Sequence, residues 1–327
     1  MPTAAEIAKQ LRSTDLASAR ADYERLKARD CEGWTSLARA GLGALDHFFL
    51  QHRIKAKTKR GISFYEALRD SKIDAYLAEK VDQLKANRLK NTAERVLRLK
   101  YAMFQLYYGT INQFRPTEAV KLYCELKPKV GILDFSAGWG GRCLAAMALG
   151  IPYVGIDANT ALEPAYKAMI AAYEPTADVK LVFKPSETVD FSRFKYDLVF
   201  TSPPYFMIEG YEHMPSYKGK EAFLDLFFRP VVEKSWQHLA PGGTFALNLP
   251  VEMYEAVRDC LPPLSRRIEL SLSGRHAVNA ARGTTPGSSA EYKEYTYVWR
   301  KPAGKRRATV KCRRLVTKSP LTRKRRA

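Results

Sequence analysis

"GILDFSAGWGGR", Gly131 to Arg142, holds an apolar run ending on Asp134-Phe135, then a glycine-rich turn, then the opening of a helix. Gly138 and Gly140 let the backbone approach a ligand where a Cβ would clash. The helix N-terminus beyond the turn offers free N–H groups to a carboxylate or phosphate. Asp157 follows in "YVGIDAN", at the tip of the next predicted strand, with Ala158 beside it. An acid there is where a Rossmann-like sheet grips ribose hydroxyls; capping the following helix is the other use of that position. A third fingerprint glycine would fall at Cys143, and the Gly-Lys-Ser/Thr of a P-loop is absent. A nucleoside ligand without a pyrophosphate therefore fits better than a dinucleotide.

Outward from this turn, residues 111–300 alternate strand-like and helical runs: "VGILDF", "YVGID", "VKLVF", "YDLVFT" and "TFALNL", with helices expected from about 140 and over 160–173, 220–238 and 251–260. That alternation predicts a doubly wound α/β sheet. "RIELSLS" and "YTYVWR" are joined by a loop alone and predict an antiparallel pair at one edge; the loop, Gly274 to Tyr292, carries Arg275, His276 and Arg282. Residues 1–110 read as helical from "DYERLKARD", "ISFYEALRD", "KIDAYLAEKVDQLKANRLK" and "AERVLRLKYAMFQLYY", the last capped by Asn91 or Thr92. Arg53 to Arg60, "RIKAKTKR", is a basic loop between helices. Residues 301–327 hold twelve Lys or Arg and no acid, and should be disordered when free. Such a tail serves nuclear localisation or nonspecific nucleic-acid contact; both need only charge and disorder.

The 327 residues carry 54 Lys+Arg against 34 Asp+Glu, a net charge of +20 that points to a polyanion, nucleic acid first. No apolar run suits a membrane helix, and the N-terminus lacks a secretory pattern, so an intracellular protein is expected, nuclear if the tail is an address. The five cysteines, Cys31, Cys124, Cys143, Cys260 and Cys312, are scattered and odd in number, which predicts free thiols in a reducing compartment. His47 and His52 are the only close histidines and share a helix face poorly, so no metal site is expected.

"YDLVFTSPPYF", Tyr196 to Phe206, raises the functional question. A buried strand runs into Ser202-Pro203-Pro204-Tyr205, and two prolines cannot continue a sheet ladder because they have no N–H to donate.

"DFSAGWGGR" resembles motif I of S-adenosylmethionine-dependent amino-methyltransferases, with Asp134, Gly138 and Gly140 matching D-x-F-x-G-x-G and the aromatic one place early, at Phe135, where Ser136 takes its position. "TSPPY" resembles their (D/N/S)-PP-(Y/F) motif, and "NQFRPTEAV" resembles the segment that closes over the methionine end of the cofactor. The resemblance spans about 111–300 and implies a Rossmann-like class I methyltransferase sheet behind a helical N-terminal region. It implies S-adenosyl-L-methionine as cofactor, held by Phe114, Arg115, Pro116, Thr117, Asp134, Phe135, Ser136, Gly138, Trp139, Gly140, Asp157 and Ala158, with Ser186 and Glu187 where relatives contact the adenine amine. Within this set Asp134 is expected near the cofactor amino group, and Phe135 and Trp139 along the methionine pocket; core packing is the other use of Phe135.

It further implies methylation of an exocyclic amine of a DNA base, cytosine N4 favoured over adenine N6 by the SPPY form. Such an NH2 is a poor nucleophile because its lone pair is delocalised into the ring. Acceptors for its two N–H groups favour the tetrahedral amine as the methyl arrives, a task for Ser202 and the Pro203 carbonyl. Tyr205 stacks on the base in this reading, which a duplex must flip out. Tyr211, His213 and Tyr217 wrap that base or pack as a lid. Arg53–Arg60 and Arg88, Lys90, Arg95 and Arg98 contact phosphates or form solvated faces. RNA as the polymer, a protein amide as the substrate, and a noncatalytic nucleic-acid-binding protein stay open as alternatives.

Overall fold

The architecture is that of a computed structural model, which describes residues 2–12, 15–28, 31, 39–84, 92–205, 217–269, 294–304 and 310–312. Among these, seven strands make one sheet: β1 (Ile132–Asp134), β2 (Tyr153–Asp157), β3 (Val179–Phe183), β4 (Leu198–Thr201), β5 (Thr244–Pro250), β6 (Arg266–Glu269) and β7 (Glu294–Arg300). Their order is β3-β2-β1-β4-β5-β7-β6. The first five run parallel, and β7 is antiparallel to both β5 and β6. This is the doubly wound, Rossmann-like α/β sheet expected, with the antiparallel pair at one edge. The topology reverses between β1 and β4, so a crevice opens beyond their carboxyl ends, where doubly wound sheets take ligands.

Side chains alternate across the sheet as the strand period requires. Leu198 and Phe200 of β4 enter one core and Val199 the other. The first core packs under α7 (Pro116–Leu126), α8 (Gly141–Ala148) and α9 (Glu163–Tyr173). The second packs under α10 (Lys220–Phe223), a π-helical turn (Leu224–Phe228), α11 (Arg229–His238) and α12 (Val251–Glu255). The chain then makes a short 3-10 turn at Arg258–Cys260, so the helix expected over 251–260 stops early.

The N-terminal region is helical as expected: α1 (Ala4–Leu11), α2 (Leu16–Lys27), α3 (Leu42–Arg53), α4 (Phe64–Ala67), α5 (Ser71–Leu84) and α6 (Ala93–Tyr107). Thr92 caps α6 by accepting from the Arg95 N–H at 3.3 Å. The boundary expected near residue 110 does not separate two cores. Leu45, Phe48 and Phe49 of α3 share one apolar cluster with Trp139 and Tyr166. The Tyr173 hydroxyl donates to the Ala44 carbonyl at 2.9 Å, and Tyr23 stacks on Tyr173 at 4.4 Å. Gly41, the N-cap of α3, has no side chain to offer; Asp22 of α2 accepts from the Gly43 and Ala44 N–H groups instead, at 2.7 and 3.1 Å. α3 is thus capped and buried by tertiary structure.

The cysteine expectation is overturned. Disulfides join Cys31 to Cys124 and Cys260 to Cys312, and Cys143 is the free, buried one. The partners lie 93 and 52 residues apart, so only the fold brings them together. The second bridge pins residues 310–312 of the basic tail against α11, where the Cys312 N–H also donates to Glu233 at 2.6 Å. Lys301, at the start of that tail, donates to the carbonyls of Trp236, Gln237 and Leu239 and so closes the C-terminal end of α11. No helix among the described residues is long and apolar enough to cross a membrane. Arg88, Lys90, Asn91, Tyr211, His213, the 274–292 loop with Arg275, His276 and Arg282, and residues 313–327 lie outside the described residues.

Candidate functional site

β1 and β2 deliver the glycine turn and Asp157 to the crevice side by side. Gly138 adopts φ +60°, where an L side chain is strained, and a Cβ on it would meet nothing closer than the Ser136 carbonyl at 3.8 Å. Its N–H donates to Asp157 Oδ2 at 2.7 Å, and the Asn159 N–H donates to Asp157 Oδ1 at 2.8 Å. Each carboxylate oxygen keeps a lone pair after accepting one N–H, so half-buried Asp157 is held in place and can still accept from a diol. Burial pushes its carboxyl up to about 6, against the pull of those two N–H groups. Ala158 and Ser136 are half-buried at the same rim.

Other residues expected to touch the cofactor turn inward. Asp134 is fully buried and saturated: its carboxylate accepts from Arg142 Nε at 2.7 Å, Tyr153 Oη at 2.6 Å, Thr201 Oγ1 at 2.7 Å and the Ser136 N–H at 3.2 Å. It shapes the turn and has no oxygen facing a ligand amino group. Phe135 packs in the second core and Trp139 in the first. Gly140 serves packing: a Cβ there would sit 2.9 Å from Phe49 of α3. Ser186 is buried, and its hydroxyl donates inward to the Phe135 carbonyl at 2.5 Å. Glu187 is half-buried and accepts from Tyr217 Oη at 3.2 Å. Tyr217 packs edge-on to Phe223, ring centroids 5.5 Å apart.

Phe114 and Arg115 are half-buried beside the turn, whereas Pro116 and Thr117 are buried. Pro116 faces Gly41, 3.1 Å from where its Cβ would be. The Phe114 carbonyl comes so close to Gly141 that a Cβ there would lie 2.0 Å from its oxygen. Only glycine admits the segment at that distance.

At the end of β4, Ser202-Pro203-Pro204-Tyr205 meets β5 and β7 in a polar cluster. Tyr205 Oη donates to Glu294 Oε1 at 2.6 Å, and lies 2.9 Å from Ser202 Oγ and 3.0 Å from its donor Asn248 Nδ2. Asn248 also donates to Glu294, and its Oδ1 accepts from Thr296 Oγ1 at 3.3 Å. With the proton of Tyr205 directed to Glu294, Ser202 is the donor in the Ser202–Tyr205 bond. The half-buried Ser202 Oγ also accepts from Asn248 Nδ2 at 3.4 Å and keeps one lone pair. Tyr205 itself is 7% exposed with its hydroxyl tied inward, so the free stacking ring expected there is not present.

Sequence reasoning missed Asn248, Glu294 and Arg142. Asn248 carries the clearest signal, an amide in the otherwise apolar run "TFALNLP" of the central β5. Glu294 opens β7, opposite Pro250. Nothing in the linear order ties it to Tyr205.

No family model matches the chain, and no curated protein matches it. Among solved structures it is similar to TrmN from Thermus thermophilus, at 16% identity over 66% of this chain and 69% of that one, with a TM-score of 0.41. An rRNA methylase from Streptococcus thermophilus matches at 11% identity over 59% and 99%, TM-score 0.37. Trm5 from Methanocaldococcus jannaschii, in complex with adenosine, matches at 14% identity over 60% and 50%, TM-score 0.36. Similarity at this level assigns no residue role and no substrate.

Proposed function

We propose that the chain is an S-adenosylmethionine-dependent methyltransferase acting on an exocyclic amino group of a nucleobase, with cytosine N4 in DNA ahead of adenine N6. The observation that carries this is the Ser202–Tyr205 turn at the tip of β4, whose hydroxyls are linked to Glu294 and which leaves Ser202 half-buried with a spare lone pair.

The crevice fits the adenosyl cofactor on two counts: open space over Gly138, whose left-handed backbone favours glycine, and an anchored carboxylate on Asp157 with spare lone pairs. Gly138, Asp157 and Ala158 would hold it, with Phe114 and Arg115 at the other side of the turn. When bound, it supplies an electrophilic methyl on a sulfonium. The chain's own residues position the amine. Ser202 Oγ and the Pro203 carbonyl accept its N–H groups, and both prolines keep those carbonyls out of the sheet ladder. The amine must shed one proton. Ser202 Oγ, Tyr205 Oη and Glu294 Oε1 are spaced 2.9 and 2.6 Å apart, a hydroxyl relay ending on a carboxylate. In-line transfer needs mainly this positioning.

The test is transfer of labelled methyl to duplex DNA, single-stranded DNA and RNA in parallel, with product nucleosides separated by mass. N4-methylcytosine or N6-methyladenine in DNA is the expected product. RNA alone methylated moves the substrate to RNA, since net charge does not separate the two. No methylated nucleoside from any polymer, with cofactor bound, overturns the reading and directs attention to protein amides. Ser202→Ala should lower turnover about 10²- to 10³-fold through loss of one acceptor and the first step of the relay, with an unchanged melting temperature.

Asp157 makes a pH prediction. The carboxylate form accepts ribose hydroxyls and the protonated form competes with them. S-adenosylhomocysteine should therefore bind well above pH 6 and weaken as pH falls through about 6, the value to which burial raises Asp157. Asp157→Asn should flatten that profile and weaken binding about 10- to 100-fold, one or two charge-assisted hydrogen bonds. Calorimetric titration across the pH range is the check; an equally steep profile in the variant would assign the pH dependence elsewhere.

A further inference from the structure

Away from the crevice, a cavity of about 510 Å³ opens between α1, α2, α6 and the start of α3, lined by Arg12, Arg25, Arg39 and Arg98 with Asp22 the only acid among its lining residues. Three of these guanidiniums and that of neighbouring Arg53 share three carboxylates. Arg12 and Arg53 both pair with buried Asp46, Arg25 pairs with Asp22 at 2.7 Å, and Arg98 lies 3.5 Å from Glu94. Asp22 is already committed to Arg25 and two α3 N–H groups. Arg39 is exposed, and its side chain has no partner among the described residues. The Arg25 and Arg98 side chains are 74% and 51% exposed, so their forks reach solvent.

We infer that this cavity is a binding site for phosphate groups, independent of the catalytic crevice. Guanidinium forks match phosphate oxygens bidentately and keep their charge at any pH the protein meets. Three of the four lining guanidiniums already face a carboxylate, but Arg12 shares Asp46 with Arg53 and Arg39 adds a further positive charge, so the hollow keeps a net positive charge; the chain's +20 charge makes a polyanion the natural partner. The α3 N-terminus adds little, because Asp22 already takes its Gly43 and Ala44 N–H groups. α3 has 12 residues, so the cavity lies roughly 18 Å from the basic Arg53–Arg60 segment at its other end. Between them, Leu45 and Phe49 pack beneath Gly140. The cavity and that basic segment thus form two anion contacts at opposite ends of a helix anchored to the glycine turn. The phosphate comes from a nucleic-acid backbone or from a free nucleotide.

The experiment measures binding, so it stands whether or not methyl transfer is found. Fluorescence anisotropy of labelled short DNA and RNA is followed between about 50 and 200 mM salt, and inorganic pyrophosphate and ADP are titrated by calorimetry. Arg25→Gln/Arg39→Gln should weaken oligonucleotide binding about tenfold and flatten the salt slope by about 0.7–0.9 for each phosphate that is no longer neutralised. Arg39→Gln alone, which leaves Asp22 its partner, should show about half of that slope change. Lys167→Gln/Lys180→Gln removes the same charge from exposed positions on α9 and β3 and should change affinity less than about twofold. Loss of pyrophosphate or ADP binding in the arginine variant assigns the phosphate to a free nucleotide; loss of oligonucleotide binding alone assigns it to the backbone. Equal responses of the two double variants overturn the site. So does polyglutamate competing as well as oligonucleotide, which would mark a carboxylate partner.

Discussion

Glu294→Gln is expected to lower methyl-transfer turnover by about 10²–10³-fold, the loss of a proton acceptor at the end of a relay, while nucleic-acid binding and melting temperature stay near those of the parent. The Glu294 carboxylate accepts from both Tyr205 Oη and Asn248 Nδ2 in the cluster. A glutamine keeps the shape but offers a neutral oxygen and adds an amide donor facing another. Tyr205→Phe removes the middle member of the same relay and leaves the ring in place. If the three groups act as a unit, the double variant should be no slower than the slower single one, because effects within one catalytic unit are not additive. Additive losses, or an undiminished Glu294→Gln enzyme, would reduce Glu294 to a structural support for the turn. Single-turnover kinetics on the methylated polymer identified in the parent enzyme decide between them.

The relay shows where the sequence was legible and where it was not. Strand–turn–helix order around Gly131–Arg142 carries the sheet, because hydrophobic period and glycine position are local properties. Ser202–Tyr205 was visible because paired prolines after an apolar run contradict a continuing strand. The partners of that turn were not visible. Glu294 follows Tyr205 by 89 positions and reaches it only through the β5–β7 register. The same limit explains Asp134, Phe135 and Ser186. Their positions in the chain match ligand contacts, yet which way a side chain points at a strand end depends on Arg142, Tyr153 and the second core. α3 was missed for a related reason. "LGALDHFFLQHR" is apolar on several sides, so it lacks the clean stripe of a surface helix. It is instead enclosed by α2, α9 and the glycine turn, which also explains why Gly140 has no room for a side chain.

Arg142→Met is expected to destabilise the fold by about 3–5 kcal/mol, the cost of stranding one member of a buried ion pair. Arg142 is buried, its Nε bonds Asp134 at 2.7 Å, and a second nitrogen reaches Asp134 and the Ser136 carbonyl. Burial opposes its charge, and the adjoining carboxylate more than offsets that, so its proton is held more tightly than in water. Phe114 covers the guanidinium at 5.3 Å. Methionine keeps the stem's packing but leaves the Asp134 charge supported only by Tyr153, Thr201 and the Ser136 N–H, so the loss should fall toward the lower end of that range. The melting temperature should drop by roughly 5–10 °C, and cofactor binding should weaken as the turn from Ser136 to Gly140 loosens. Asp134→Asn in the same chain removes the stranded charge, so the double variant should recover part of the lost stability. Urea denaturation of the two single variants and the double measures that coupling. A double variant whose loss equals the sum of the singles would show that the pair contributes nothing as a pair, and that Asp134 holds the turn through its neutral donors alone.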